Sequence, residues 1–181
     1  MIDHNRADFA DRVVSPRCFC ESSGVHSTDE FVIRAVPLEE VIDLRHRVLR
    51  SGLARDAAYL SGDEKPDSWH WAAYQGDHRV IGCATLHLAP LDGVAAGQLR
   101  GMAVDAEFRR YGLGRQLLLA VEQAVRDKGL PLIWANCRTP ALPFYGRMGW
   151  EIISDEFVIE TAGPHFRMKK VLGAGGEAPP R

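Results

Sequence analysis

The chain has 181 residues, 46% hydrophobic and 25% charged, which suits one well-filled globular domain. Its formal net charge of -2 leaves no electrostatic footprint for nucleic acid, and no apolar run approaches the ~18–20 residues that span a bilayer. The opening MIDHNRADFADRVVS carries acids and no apolar core, so no secretory signal is predicted. Four cysteines without CxxC spacing (Cys18, Cys20, Cys83, Cys137) predict reduced thiols, a cytoplasmic protein and no metal centre.

Residues 1–29 lack sustained periodicity and read as an N-terminal extension; one domain is predicted over 30–171, followed by a flexible tail, 172–181, rich in Gly and Pro. FVIRAV (Phe31 to Val36) is predicted as a strand. Pro37 then opens a helix carrying Leu38, Val41, Ile42, Leu44, Arg45, Val48 and Leu49. Ser51 to Ser68 is polar and interrupted by Pro66, a loop with room for one helical turn. WHWAAYQGDHRVIGCATLHLAP reads as a hairpin turning at Gln75-Gly76-Asp77-His78. GQLRGMAV is a short strand, and Leu113, Leu117, Val121 and Val125 mark a helix that stops at Lys128-Gly129, with Pro131 beyond. LIWAN is a buried strand and ALPFYGRMGW a short helix stopped by Gly149. EIISDEFVIE and HFRMKKVL are predicted as two strands bracketing Thr161 to Pro164. The order β-α-β-β-β-α-β-α-β-β predicts an α/β domain with a mixed sheet and helices on both faces.

One junction asks for an anion. Arg109, Arg110 and Arg115 crowd around Gly112 and Gly114 where a strand gives way to a helix. A helix start exposes unpaired N–H groups and the positive end of the dipole, glycine admits a ligand to that backbone, and arginine adds charge. A P-loop would need Gly-Lys-Ser/Thr, but Arg115-Gln116 follows. A dinucleotide fingerprint would need a third small residue where Leu117 stands and an acid near Leu132 to Ala135, where there is none.

Arg109-x-x-Gly112-x-Gly114 after a strand resembles the acetyl-CoA loop of the GNAT N-acetyltransferase superfamily. TPALPFYGRMGWE is similar to that family's following signature, and the likeness runs from about Phe31 to Val171. LRHRVLRSGL, GDEKPDSWHWAA and EFVIETAGPHFRM also resemble a bacterial, mostly uncharacterised branch. The resemblance implies a single-domain GNAT-like fold: a mixed, largely antiparallel central sheet flanked by helices on both faces. It implies acetyl-CoA as cosubstrate, held by amides of Arg110, Gly112, Leu113, Gly114 and Arg115, with the pantetheine arm on the backbone of Met102 and Val104. Tyr145 matches the family's general acid. Asn136 would meet the pantetheine or a water, or cap its strand end. Arg45 and Arg50 would line the acceptor groove, a solvated helix face being the alternative; Arg138 would grip an anionic acceptor or CoA, or simply pair with a carboxylate.

The base stays open, because the strand Gln98-Leu99-Arg100-Gly101-Met102 lacks the glutamate that many relatives carry. The candidates are His70, His87 and His165, or Asp63 and Glu64 acting through water. The implied acceptor is the primary amine of a small molecule, with a protein amine second; the resemblance leaves room for a homodimer. A CoA-binding sensor or interaction module that has lost catalysis, or an acyltransferase with another donor, are the competing readings.

Overall fold

The computed structural model describes residues 31–173 apart from Asp77. The predicted extension, Cys18, Cys20 and nearly all of the predicted tail therefore lie outside the described residues.

Strand β1 (Phe31–Val36) leads into helix α1 (Glu39–Leu49), whose first turn holds Glu39 and Glu40 and whose last holds His46 and Arg47. That charge order complements the helix dipole. A 3₁₀ turn (Arg55–Ala58) interrupts the loop after it. Next come β2 (Ser68–Gln75), β3 (Arg79–Leu88), β4 (Gly97–Val104) and helix α2 (Leu113–Asp127). The chain closes with β5 (Leu132–Arg138), helix α3 (Leu142–Arg147), β6 (Glu151–Ile152), β7 (Phe157–Ile159) and β8 (Gly163–Val171).

The strands form one sheet in the order β1-β2-β3-β4-β5-β8-β6, with β7 also on β8. Every pairing is antiparallel except β4–β5. The apolar stripe of α1 packs Val41 and Leu44 on one face, against Ala72, Tyr74, Cys83 and Ala103. The stripe of α2 packs Leu113, Leu117, Leu118, Val121 and Val125 on the other, against Trp71, Ala73, Ala84, Leu86 and Leu99. The mixed, largely antiparallel sheet with helices on both faces is thus as predicted. Among the described residues no helix is long and apolar enough to cross a membrane.

The segment predicted as one strand, EIISDEFVIE, is two. Ile152 pairs with Met168 and Phe157 with His165, so five steps on this side face three on β8. The excess bulges out, and the Ser154 hydroxyl oxygen accepts from the Arg167 amide in place of a backbone carbonyl.

The sheet is loosened at its centre in two places. The parallel β4–β5 ladder holds only Gly97 to Ile133 and Gln98 to Trp134, after which the strands separate. Just beyond, β4 carries a bulge: Cys83 faces Ala103 but Thr85 faces Arg100, and Gly101 sits at φ +53°.

Candidate functional site

Between β4 and α2 the backbone passes twice through left-handed conformations, φ +77° at Arg110 and +78° at Gly112. Glycine adopts this freely; at Arg110 it costs on the order of 1 kcal/mol. Gly112 is the N-cap of α2, no side chain caps the helix, and its first turn holds no acid. The leading amides, at Leu113, Gly114 and Arg115, therefore have no intrahelical acceptor, and among the described residues no acid of the first turn answers the positive end of the dipole. Arg109, Arg110 and Arg115 are exposed around this start, and Arg109 Nε donates to the Val104 carbonyl at 3.3 Å. Leu113, 1% exposed, anchors the first turn in the core. The loop predicted from sequence to hold an anion thus presents leading amides beside three exposed arginines.

Where β4 and β5 part, a cleft of about 690 Å³ opens. Gln98, Arg100 and Met102 line it from β4, and Trp134, Asn136 and Arg138 from β5. Leu49, Arg50, Leu60 and Lys65 approach from α1 and the loop after it, and Tyr145 and His165 complete the wall. A second hollow of about 550 Å³, beside Asp43, Arg47, Arg79 and Asp105, is crossed by its own ion pairs and holds none of the predicted residues.

Met102 joins the cleft to the anion loop. Its Cε lies 3.7 Å from where a Cβ on Gly114 would stand, and its Sδ accepts a weak hydrogen bond from the Tyr145 hydroxyl at 3.7 Å. Tyr145 is buried between Phe144 and Trp150, and burial pushes its pKa far above the ordinary phenol value. It stays a proton donor. Asn136 Oδ1 is buried without a partner among the described residues, an acceptor in the cleft wall. Cys137 also borders the cleft, but burial pushes its thiol up to about 12, so it is no ready nucleophile.

The histidines separate by tautomer. His165 Nδ1 lies 2.8 Å from the Gly163 carbonyl, which can only accept; Nδ1 therefore carries a proton, and in the neutral ring the lone pair is on Nε2. His87 is held similarly: the Ser68 hydroxyl donates to the Gly62 carbonyl, so it accepts from His87 Nδ1 at 2.8 Å. Both rings line the cleft. His70 does not. Its Nε2 donates to the Asp63 carbonyl at 3.1 Å and its Nδ1 accepts from Thr85 at 2.8 Å, so both nitrogens are committed. His70, a candidate base from sequence, lies in the interior and not in the cleft wall.

Arg45 is the hub of that interior network. Its guanidinium donates to Asp63, to the Ala58 carbonyl and, at 2.7 Å, to the Thr85 hydroxyl, and it is 1% exposed. It touches the cleft but is tied down by Asp63, which the Leu60 amide also holds at 2.9 Å. Arg45, predicted to line the acceptor groove, and Asp63, a candidate base through water, are thus paired with each other. Only glycine fits opposite Arg45, since a Cβ on Gly101 would stand 2.5 Å from its Nε.

Arg50 and Arg138 do reach the cleft. Arg138 Nη2 donates to the Leu49 carbonyl at 2.8 Å and Arg50 Nη1 to the same oxygen at 3.1 Å. Burial, and then the nearby charges of Arg138 and Arg45, lower the Arg50 pKa. The sequence reading missed Arg100, whose Nη1 donates to the Ser61 carbonyl at 2.9 Å, and missed Lys65. Arg100 alternates with the buried Leu99, a signal that places it on the opposite face without showing that a cleft lies there.

The family model described as the acetyltransferase (GNAT) family matches residues 38–150. The chain is 27% identical over 142 residues to an uncharacterised N-acetyltransferase of Bacillus subtilis, YitI, covering 77% of this chain and 95% of that one. The fold is similar to that of the ribosomal-protein-S18-alanine N-acetyltransferase of Escherichia coli, with a TM-score of 0.64 at 16% identity over 81% of this chain and 97% of the other. An aminoglycoside 6'-N-acetyltransferase complexed with coenzyme A also has a TM-score of 0.64, at 15% identity over 80% of this chain and 99% of its own.

Proposed function

The chain belongs to the acetyltransferase (GNAT) family, and on that premise we propose that it moves the acetyl group of acetyl-CoA to the primary amine of a small molecule. The observation that carries this reading is contiguity: an uncapped helix start, the parted β4–β5 edge and a buried tyrosine hydroxyl meet at Met102.

The residues present suit the cosubstrate. Amides of Arg110, Gly112, Leu113, Gly114 and Arg115 would take the diphosphate, with the Arg109 side chain beside them. The open edge of β4 at Met102 and Val104 would pair with the pantetheine arm, and Asn136 Oδ1 would accept from one of its amides. A bound thioester supplies the electrophilic carbonyl and a thiolate leaving group. Tyr145, kept protonated by burial, donates a hydrogen bond to that thiolate. His165 receives the ammonium proton at Nε2, directly or through a water, in place of the absent strand glutamate. On this reading 30–171 is the transferase domain.

The test is calorimetric titration with acetyl-CoA followed by thiol release against an amine panel. Binding, with thiol released only when an amine is present, is expected. Absence of binding would overturn the proposal; binding without turnover on any amine would reduce the protein to a CoA-binding module.

A further inference from the structure

We infer that the acceptor carries an anionic group, a carboxylate or a phosphate, beside its amine, and that Arg50, Arg100 and Arg138 bind that anion. The inference rests on the acyl-transfer reading for the amine, but not for the anion.

Among the described residues, the side chains lining the cleft include five cations, Arg45, Arg50, Lys65, Arg100 and Arg138, and no carboxylate. Arg45 is answered by Asp63. Among the described residues no carboxylate lies within ion-pair distance of Arg50, Arg100 or Arg138. Each is instead steered by backbone carbonyls: Arg50 and Arg138 by Leu49, Arg50 also by Ala57 at 3.2 Å, and Arg100 by Ser61. A neutral carbonyl orients a guanidinium but leaves its charge standing, and its remaining N–H groups are available. Two guanidiniums converging on one oxygen repel each other. Such an arrangement is unfavourable in the free protein and is relieved by an anion in the cleft, which planar forks bind in bidentate fashion.

The same charges exclude competitors. A second ammonium on the acceptor, as in a polyamine or a lysine-rich peptide, would meet the like charge of these arginines. A carboxylate or phosphate would be drawn in, while the reacting amine beside these cations would find its pKa lowered and its neutral form favoured. Cations here thus do part of the work of a base.

The experiment uses matched amines: γ-aminobutyrate against butylamine, phosphoethanolamine against ethanolamine, and spermidine. Calorimetric binding of each to the full chain is measured separately from thiol release with acetyl-CoA. A preference of about ten-fold or more for an anionic member over its neutral partner is expected, lost in Arg100→Gln and Arg138→Gln and partly kept in Arg138→Lys. Acetyl-CoA affinity should not change in these variants. Carboxylate and phosphate arms tell which anion is preferred. Neutral amines or spermidine bound as well as the anionic ones by the native protein would sink the inference whatever the variants do. Variants that weaken acetyl-CoA instead would reassign the arginines to the cosubstrate and sink it too. Anionic amines bound but never acetylated would leave the anion site standing and remove the transferase reading.

Discussion

Single side chains carry the sharpest consequences. Tyr145 is surrounded by Phe144, Trp150 and Met102, so removing its hydroxyl leaves the packing intact and deletes one donor. Tyr145→Phe is expected to lower kcat about ten-fold or more with acetyl-CoA affinity unchanged, measured by thiol release and calorimetry. Equal turnover would demote the residue to packing. His70 makes a different prediction. Burial lowers its pKa from 6.5, against the opposing pull of the Asp63 charge; Arg45 adds to the lowering and Glu39 opposes it. Below about pH 6.5 the unfolded chain takes up a proton that the folded chain refuses, so the unfolded state binds more protons and stability is lost as the pH falls through that window. Above it the contribution is flat. Tm measured across this range should drop on acidification, and His70→Gln should lessen the drop; parallel curves would exclude His70 as its source. Arg45 sits among the apolar residues of the α1 stripe, a sign of burial that the expectation of a groove-lining or solvated side chain passed over. Its partner Asp63 gave no such sign, because it lies 18 positions away in a loop with no periodicity.

At the scale of elements, local signals did best where structure is local. Alternation and helical spacing recovered the β-α-β-β-β order, and the arginine–glycine run marked the start of α2 correctly. The break between β6 and β7 escaped because it depends on the β8 partner and on a serine replacing a backbone group. The cleft escaped for the same reason: Arg100 faces it only because β4 and β5 separate, which no strand announces alone. Gly112 tests the element on which the site depends. Open space surrounds its Cα, so a substituent there meets strain and not a clash. Valine at φ +78° costs roughly 1–2 kcal/mol and pulls the amides out of line, whereas asparagine tolerates this conformation. Gly112→Val should weaken acetyl-CoA binding about ten-fold and Gly112→Asn only slightly, as read by calorimetry. Equal losses would point to bulk rather than backbone as the cause.

The whole molecule is a sheet in two halves that share two ladder positions, and something must hold the halves at a fixed spread. Glu122, fully buried on α2, supplies one tie. It accepts from Trp150 Nε1 at 3.0 Å, after α3, and from Lys170 Nζ at 2.8 and 2.9 Å, on β8, with Arg126 at 3.5 Å. The helix that opens the anion loop is thereby fastened to the far side of the cleft. Its signal in sequence was faint, a lone acid on the α2 stripe whose partners are 28 and 48 positions away. Lys170→Met leaves the buried carboxylate only Trp150 Nε1 and the more distant Arg126, and should cost about 3 kcal/mol, or roughly 10 °C in Tm. Replacing both charges, Glu122→Leu with Lys170→Met, removes the desolvation cost along with the attraction, so most of that Tm should return. If the tie also sets the spread between β4 and β5, kcat/KM in the double variant stays low after stability has recovered, because the cradle and Tyr145 no longer meet in register. Recovery of both quantities together would confine Glu122 to stability and leave the spread of the cleft to the Gly101 bulge.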